Sequence, residues 1–576
     1  MSEHAQPRVL DPLNLKLIQS WLADCLNNTN TAETKDPGNH DICNHTRQSR
    51  FAPTRVLDLG AEGLQSDLRL TTRRKLEKIY ENITSSTCSD EDESNHTAKS
   101  PQRSKRKGKT KKHKKKASKD KPFAYVTMTH RWTGNVLKTT QASLSQHLAK
   151  IPFDSLSTTF QEGVMLARQL GYRYLWIDSL CIIQDFADDW ASESEIMCDV
   201  YMNAVLNIAD ATPSPLEHRK LQQTDRFSGR TDNRYEFYAG QLESRGWVLQ
   251  ERIVAPATLY YCAPDQIRCW HDRYRKSVVW ICRAAYYECG CDYERPGEWG
   301  HMNMLEVDGR KGKSHLSQVS KDLVASPAKS IANDEWWLRK WQKLVDWYSR
   351  RELTVESDRL PALSGLARHF AHGAQLPYAA GLWLDWMRES LLWTAEQPVK
   401  KPTTYLAPSW SWASLLSQVH YSAYSYEEDS WGTFDPKVFP DYVSCDIQLA
   451  SSNRFGALSP EGPNALHLKG RLVEVTLQPS SKKSQELGFS PFAVTLEENS
   501  SFDHTAWLDF CSDEVPALGS LYLLLVTFCE LTGYVALLLE VQDEAAHIYR
   551  RIGICDRGIK DIRQWERAAP IVLTII

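Results

Sequence analysis

The feature that most constrains this chain is an alternation of segment types between Phe123 and Thr212. FAYVTMTHRW (123–132) has an apolar strand pattern. LSQHLAKI (144–151) and LSTTFQEGVMLARQLG (156–171) space their apolar residues for helices, the second ending at Gly171. YRYLWID (172–178) reads as a strand, WASESEIMCDVYMNA (190–204) as a helix and AVLNIADAT (204–212) as a strand. Parallel neighbours need a crossover, and a helix between two strands supplies it. Runs such as YLWI, apolar without alternation, suit strands covered on both faces. The expected fold is α/β, a parallel sheet flanked by helices.

The flanking sequence adds different material. NLKLIQSWLADCL (14–26) has helical spacing after Asp11-Pro12, and TRVLDLG (54–60) reads as a short strand ending at Gly60. Residues 84–121 hold a short acidic block and then a basic one, with no apolar anchor. Twelve of the 19 residues from Arg103 to Lys121 are Lys or Arg. Such a segment is expected to be disordered. It is either a nuclear-import signal or contact for nucleic acid or an anionic surface, or a solvated insertion. SRGWVLQERIVAPATLYY (244–261) predicts a helix from Trp247 to Ile253 and a strand after Pro256. A polar loop is expected over 305–334. WWLRKWQKLVDWYSRREL (336–353) and LPALSGLARHFA (360–371) predict amphipathic helices. From about residue 405 the runs become β-type: LHLKGRLVEVTLQ (466–478), LYLLLVTFC (521–529), YVALLLEV (534–541) and HIYRRIGIC (547–555). The expected organisation is an N-terminal helix and first strand (1–83), the insertion (84–121), an α/β core (122–300), a helical region (301–404) and a mixed α+β region rich in antiparallel strands (405–576).

Composition excludes some classes. The chain is 42% apolar with a formal net charge of -3. That suits a globular protein and argues against a dedicated nucleic-acid binder. The first 19 residues lack the apolar core of a signal peptide. LYLLLVTFCELTGYVALLLEV (521–541) is interrupted by Glu530, Thr532 and Gly533. Two strands around a turn fit it better than a membrane span, which needs about 20 apolar residues. The expected location is intracellular, cytoplasmic with nuclear import through 103–121, and the 14 cysteines are expected as thiols. Cys25, His40, Cys43 and His45, or Cys262, Cys269, His271, Cys282, Cys289 and Cys291, offer zinc ligands without paired CxxC spacing, so no metal site is assigned. There is no Walker loop and no GxGxxG.

Several segments resemble one family in order. YVTMTHRWTG (125–134), YLWIDSLCIIQD (174–185), DWASESEIMCDVYMNAVLNIAD (189–210) and SRGWVLQER (244–252) are similar to the signature runs of fungal heterokaryon-incompatibility (HET) domains. WLADC (21–25), HDIC (40–43), DRLPALSGLA (358–367) and YLAPSWSWAS (405–414) resemble segments typical of such proteins. The chain departs from the pattern at Arg131, where the family has Cys, at Thr133, where it has Gly, and at Ala191, where it has Glu. The family's W-E-C segment has no clean counterpart here. The resemblance implies non-self recognition and regulated cell death through protein partners and self-association. It also implies a distant likeness to TIR domains, which have a flavodoxin-like fold and in some cases cleave NAD with a Glu. On that analogy NAD is the one small molecule to consider, and enzymatic activity is an open alternative.

The candidate residues follow from position. Asp178 falls at the carboxyl end of a parallel strand, where open α/β sheets place ligands. It either binds a ligand, caps the next turn or pairs with Arg245 or Arg252. His130 and Trp132 end the neighbouring strand and share that rim. Trp132 and Trp190 either stack on a base or close the core. Ser179 and Cys181 follow Asp178, and Cys181, in an apolar run, reads as packing rather than nucleophile. In TIR-like chemistry Glu193 and Asp178 are the catalytic carboxylates, with Glu193 stabilising charge at a nicotinamide ribose. Otherwise Glu193 is an acid favoured at a helix N-terminus. Arg245, Gln250, Glu251 and Arg252 form a motif core, with Glu251 and Arg252 read as a buried ion pair.

Overall fold

A computed structural model describes residues 12–27, 51–60, 63–78, 123–132, 136–210, 242, 244–261, 278–282, 286–288, 335–371, 376–400, 402–421, 438–479, 492–495, 504–509, 520–529, 533–559 and 562–576. The 84–121 insertion, the 305–334 loop and all zinc-candidate residues except Cys25 and Cys282 lie outside these. The chain divides into two units. The first is Met1–Glu193, Asp199–Thr212 and Ala255–Val307; the second is Ser194–Cys198, Pro213–Val254 and Asp308–Ile576.

The first unit holds helix α1 (Pro12–Asn27), strands β1 (Arg55–Asp58), β2 (Arg69–Thr72) and β3 (Val126–Thr129), helices α2 (Leu144–Ala149) and α3 (Thr158–Gln169), and strand β4 (Tyr174–Trp176). A helical turn α4 (Asp178–Cys181), the long helix α5 (Ala187–Asn203), whose Ser194–Cys198 stretch is counted with the second unit, and strands β5 (Leu206–Asp210), β6 (Ala257–Tyr261), β7 (Val278–Cys282) and β8 (Tyr286–Glu288) follow. The sheet order is β2-β1-β4-β3-β5-β6-β7-β8. Its centre, β4-β3-β5-β6, is parallel. The expectation of parallel pairing holds there and fails at both edges. β1 and β2 join antiparallel beside β4, and β7 and β8 antiparallel beside β6. An antiparallel edge needs no helical crossover, so no helix pattern announces it.

Two buried threonines inside this sheet share one asparagine. Thr127 and Thr129 Oγ1 lie 3.2 Å from Asn207 Oδ1 across the β3–β5 ladder. Helix α3 begins at Ser157, whose hydroxyl accepts the Phe160 N–H at 3.3 Å. It ends at Gly171, with φ of +83°, a conformation that costs a β-carbon-bearing residue. The run 172–178 is a shorter strand than its apolar pattern predicts. β4 stops at Trp176. The chain then turns helical, with the Cys181 N–H donating to Ile177 O at 2.8 Å and the Ser179 N–H to Asp178 Oδ1 at 2.7 Å. Asp178 caps its own turn, and this local bond ends the strand.

In the second unit, helix α6 (Gly246–Val254), helix α7 (Glu335–Ser349) and helix α8 (Pro361–Ala371) are followed by two short ladders. One pairs β9 (Tyr378–Ala379) with β10 (Leu382–Trp383); the other pairs β11 (Thr394–Ala395) with β12 (Val419–His420). α7 buries Trp337, Trp341, Leu344, Val345 and Tyr348, the stripe its spacing predicts. α8 meets α6 at Gly365. A β-carbon there would come within 2.3 Å of Cys198 Cβ and 2.5 Å of Gln250 Oε1, so this crossing has room only for glycine.

Nine strands complete the unit: β13 (Asp441–Asp446), β14 (Ala465–Gly470), β15 (Leu472–Pro479), β16 (Phe492–Thr495), β17 (His504–Leu508), β18 (Leu521–Cys529), β19 (Gly533–Asp543), β20 (Ile548–Ile559) and β21 (Ile571–Ile575). All pairings are antiparallel except β20 with β21. Six strands close on themselves in the cycle β15-β16-β17-β20-β19-β18. That closure removes free edges from the ring. One face of the ring shares a core of Leu521, Leu523, Leu525, Ala536, Leu538 and Ile552, with Trp565 of helix α9 (Arg563–Arg567) joining it. Trp565 Nε1–H donates to Leu523 O at 3.2 Å.

The apolar run 521–541 is the hairpin β18–β19, turning at Gly533 with φ of +92°. Leu524, Val526, Val535, Leu537 and Leu539, on the other face, are buried too, which explains the missing alternation. The single run 466–478 is two strands: β14 pairs with β13 and β21, while β15 pairs with β16 and β18. Among the described residues no helix is long and apolar enough to cross a membrane.

Candidate functional site

β3 and β4 run parallel and end side by side, so His130, Trp132 and Asp178 meet just beyond them. Trp132 Nε1–H donates to Asp178 Oδ2 at 2.8 Å. His130 Nδ1 lies 3.5 Å from Asp178 Oδ1. The His130 ring is buried, edge-on to Phe160 with centroids 4.7 Å apart, and near-parallel to Trp132 at 6.3 Å. Trp132 is 36% exposed, and Lys138 Nζ sits 5.0 Å above its ring. Asp178 thus holds an exposed tryptophan in one orientation at the rim. Ser179 is wholly buried beneath it, and its carbonyl accepts the Thr139 N–H at 2.9 Å.

Glu193 sits elsewhere. Its side chain is 2% exposed, on the second turn of α5, and Oε1 lies 3.3 Å from Arg55 Nη2. Among the described residues no hydrogen bond or ion pair joins Glu193 to Asp178. Arg55 is the centre of this region. Its Nη2 donates to both oxygens of Asp189, at 2.7 and 2.5 Å, and its Nε to Cys181 O at 2.6 Å. Asp189 Oδ2 also accepts the Ile183 N–H at 2.8 Å. One guanidinium from β1 therefore fastens α4, the segment after it and the start of α5. Burial raises the Glu193 carboxyl above its ordinary range, against the opposing charge of Arg55.

Cys181 is buried beside the same groups, and burial pushes its thiol up to about 12. A thiol so held is not a thiolate near neutrality.

Arg55 and Asp189 were not among the residues singled out from sequence. A signal was present: TRVLDLG reads as a short strand with a charged residue on each side of its Val-Leu pair, and in the fold every position of RVLD is buried. Charged ends inside such a strand must find partners. The other end, Asp58, accepts from Arg173 Nε at 2.7 Å and Arg69 Nη2 at 3.1 Å. Burial pushes the Asp58 carboxyl up, but the hydrogen bonds from Arg173 and the Gly60 N–H outweigh it and leave it below the ordinary value.

The remaining motif residues occupy other places. Trp190 is half-buried on the first turn of α5. Arg245, Gln250, Glu251 and Arg252 belong to the second unit. There the Arg245 segment bridges to Glu352, with the Gly246 N–H donating to Glu352 O at 2.8 Å. Gln250 and Glu251 are buried, and Gln250 lies against Gly365 of α8. The QER element and LPALSGLA are thus one packed crossing. Among the described residues no group of three or more His, Cys, Asp or Glu side chains is placed to hold a metal ion.

Fold and rim together define an α/β domain with a parallel centre and an aromatic–acidic cluster at its strand ends. Residues 125–251 match the family described as heterokaryon incompatibility protein (HET). The chain carries a HET domain there, and this points to a role in heterokaryon incompatibility. No curated protein and no solved structure matches the chain.

Proposed function

We propose that this is a HET-domain signalling protein that triggers or relays regulated cell death in non-self recognition, through protein contacts, on a TIR- or flavodoxin-like sheet. The observation that carries this reading is how the motif acids are used. Asp178 orients an exposed Trp132, and Glu193 is buried against Arg55. A fixed, part-exposed tryptophan suits an interaction hot spot better than a catalytic centre. The test is inducible expression of the full chain in a filamentous fungus, with viability scored by vital dye. Death is expected with the natural chain and is expected to weaken with Trp132→Ala at equal protein level. Unchanged viability on expressing the natural chain, alone and in fusion with a genetically different strain, refutes the reading.

A second reading is TIR-like NAD cleavage, with Asp178 or Glu193 as the carboxylate. It draws on the meeting of His130, Trp132 and Asp178 beyond parallel strand ends, where α/β sheets bind ligands. Nicotinamide release from NAD by purified chain, lost in Glu193→Ala or Asp178→Ala, supports it; no release when dilute or crowded refutes it. Import through 103–121 predicts that deleting those residues abolishes nuclear accumulation of a tagged chain, and unchanged distribution rejects it.

A further inference from the structure

Around Arg55, two carboxylates compete for one cation. Asp189 takes Nη2 with both oxygens, while Glu193 reaches the same nitrogen only at 3.3 Å. Arg55 Nε is already committed to Cys181 O. Glu193 Oε2 is buried and makes no hydrogen bond among the described residues. A buried carboxylate oxygen left unpaired is costly, and a proton removes that cost by removing the charge.

We propose that Glu193 carries a proton in the folded chain, and that losing it loosens the Arg55 latch holding the α4–α5 segment under the rim. The groups facing Glu193 are Arg55 from β1, the Thr54 hydroxyl before it, which hydrogen-bonds the carboxyl, Arg73 after β2, Cys181 on α4 and Asp189 on its own helix. Of the two cations, Arg55 is shared with Asp189. Burial is the dominant influence on Glu193, and it favours the neutral form. When the proton leaves, a second negative charge stands beside Asp189. The two then pull on one guanidinium, and the bonds to Cys181 O and, through Asp189, to the Ile183 N–H are the ones strained. Those bonds position the turn that begins at Asp178, so rim order becomes pH-dependent.

The linkage has a definite sign. A carboxyl raised on folding stabilises the fold most below its unfolded value, about 4.3. That stability declines as pH rises through the folded value. The experiment uses the full chain and Glu193→Gln, which mimics the protonated acid. Amide hydrogen exchange is followed over residues 178–186 from pH 5 to pH 8, after correction for intrinsic exchange. In the natural chain, local opening should rise with pH, by up to about tenfold per pH unit within the titration window. In Glu193→Gln that rise should vanish, and protection at pH 8 should equal or exceed the natural chain's. An infrared difference spectrum between pH 5 and pH 8 should show a protonated-carboxyl stretch that fades as pH rises in the natural chain and that the variant lacks. Equal loss of protection at every pH in Glu193→Gln, or no such band, overturns the proposal. Asp189→Asn provides a second arm: it should loosen the segment at every pH, because it removes the negative charge and one of the two oxygens that hold Arg55. No loosening overturns the assignment of the latch.

Discussion

Replacing Arg551 tests how the second unit is held together. The residue is wholly buried on β20. Its Nε donates to Asp509 Oδ2 at 3.2 Å, Nη1 to Leu391 O and Nη2 to Trp393 O, and the guanidinium lies 3.4 Å from the Trp393 ring centroid. One side chain thus ties the β-ring to the 391–393 segment. Burial pushes the arginine's pKa down and that of Asp509 up, and the opposite charge of each partner works against that shift in the other. Arg551→Ala removes these bonds and strands a buried carboxylate. Breaking one partner of a buried pair costs about 3–5 kcal/mol. At a urea slope of about 2 kcal/mol per molar, the midpoint should fall by roughly 1.5–2.5 M. The assay is urea unfolding of the full chain by far-ultraviolet circular dichroism, with the two units fitted as separate transitions where they resolve. Arg551→Met with Asp509→Leu removes both charges and should recover most of the loss, since matched apolar replacements of buried pairs are often neutral. A single variant costing less than about 1 kcal/mol refutes the reasoning. So does a double variant as unstable as the single.

Three other outcomes are expected. Gly365→Ala should destabilise the second unit by about 1–3 kcal/mol, read as a lower melting temperature, because its β-carbon overlaps Cys198 and Gln250. Cys181 should resist iodoacetamide at pH 8 in the folded chain and react once unfolded, as peptide mass spectrometry would show, since its thiol is buried and pushed up to about 12; rapid native labelling would contradict this. Asp58, held below its ordinary value, contributes stability above the unfolded value of about 3.9 that is lost as pH falls through the folded one. Asp58→Asn should therefore flatten the acid limb of a stability–pH curve, and an unchanged limb would count against the Arg173 network.

Much of the fold was legible without coordinates, for reasons that can be named. The strand–helix alternation from 123 to 212 carries the parallel centre, because a crossover helix leaves its own periodicity between two apolar runs. Trp337, Trp341, Leu344 and Tyr348 declare the buried stripe of α7 in the same way. Gly533 and its neighbours exposed 521–541 as a hairpin, since left-handed backbone favours glycine. The rim was legible too: His130, Trp132 and Asp178 end strands whose adjacency the alternation predicts.

Other features depend on partners far apart in the chain. Local pattern stops at the antiparallel edges of the first sheet and at the ring closure of β20 on both β17 and β19. Asp178 and Glu193 look alike in sequence, two acids flanking one helix start. Their separate fates are set by Trp132 at one and Arg55, more than a hundred residues away, at the other. Periodicity records which face of an element is buried, because burial repeats along the chain with the backbone's own period. It does not record which charge meets which, because that depends on where distant strands bring their ends.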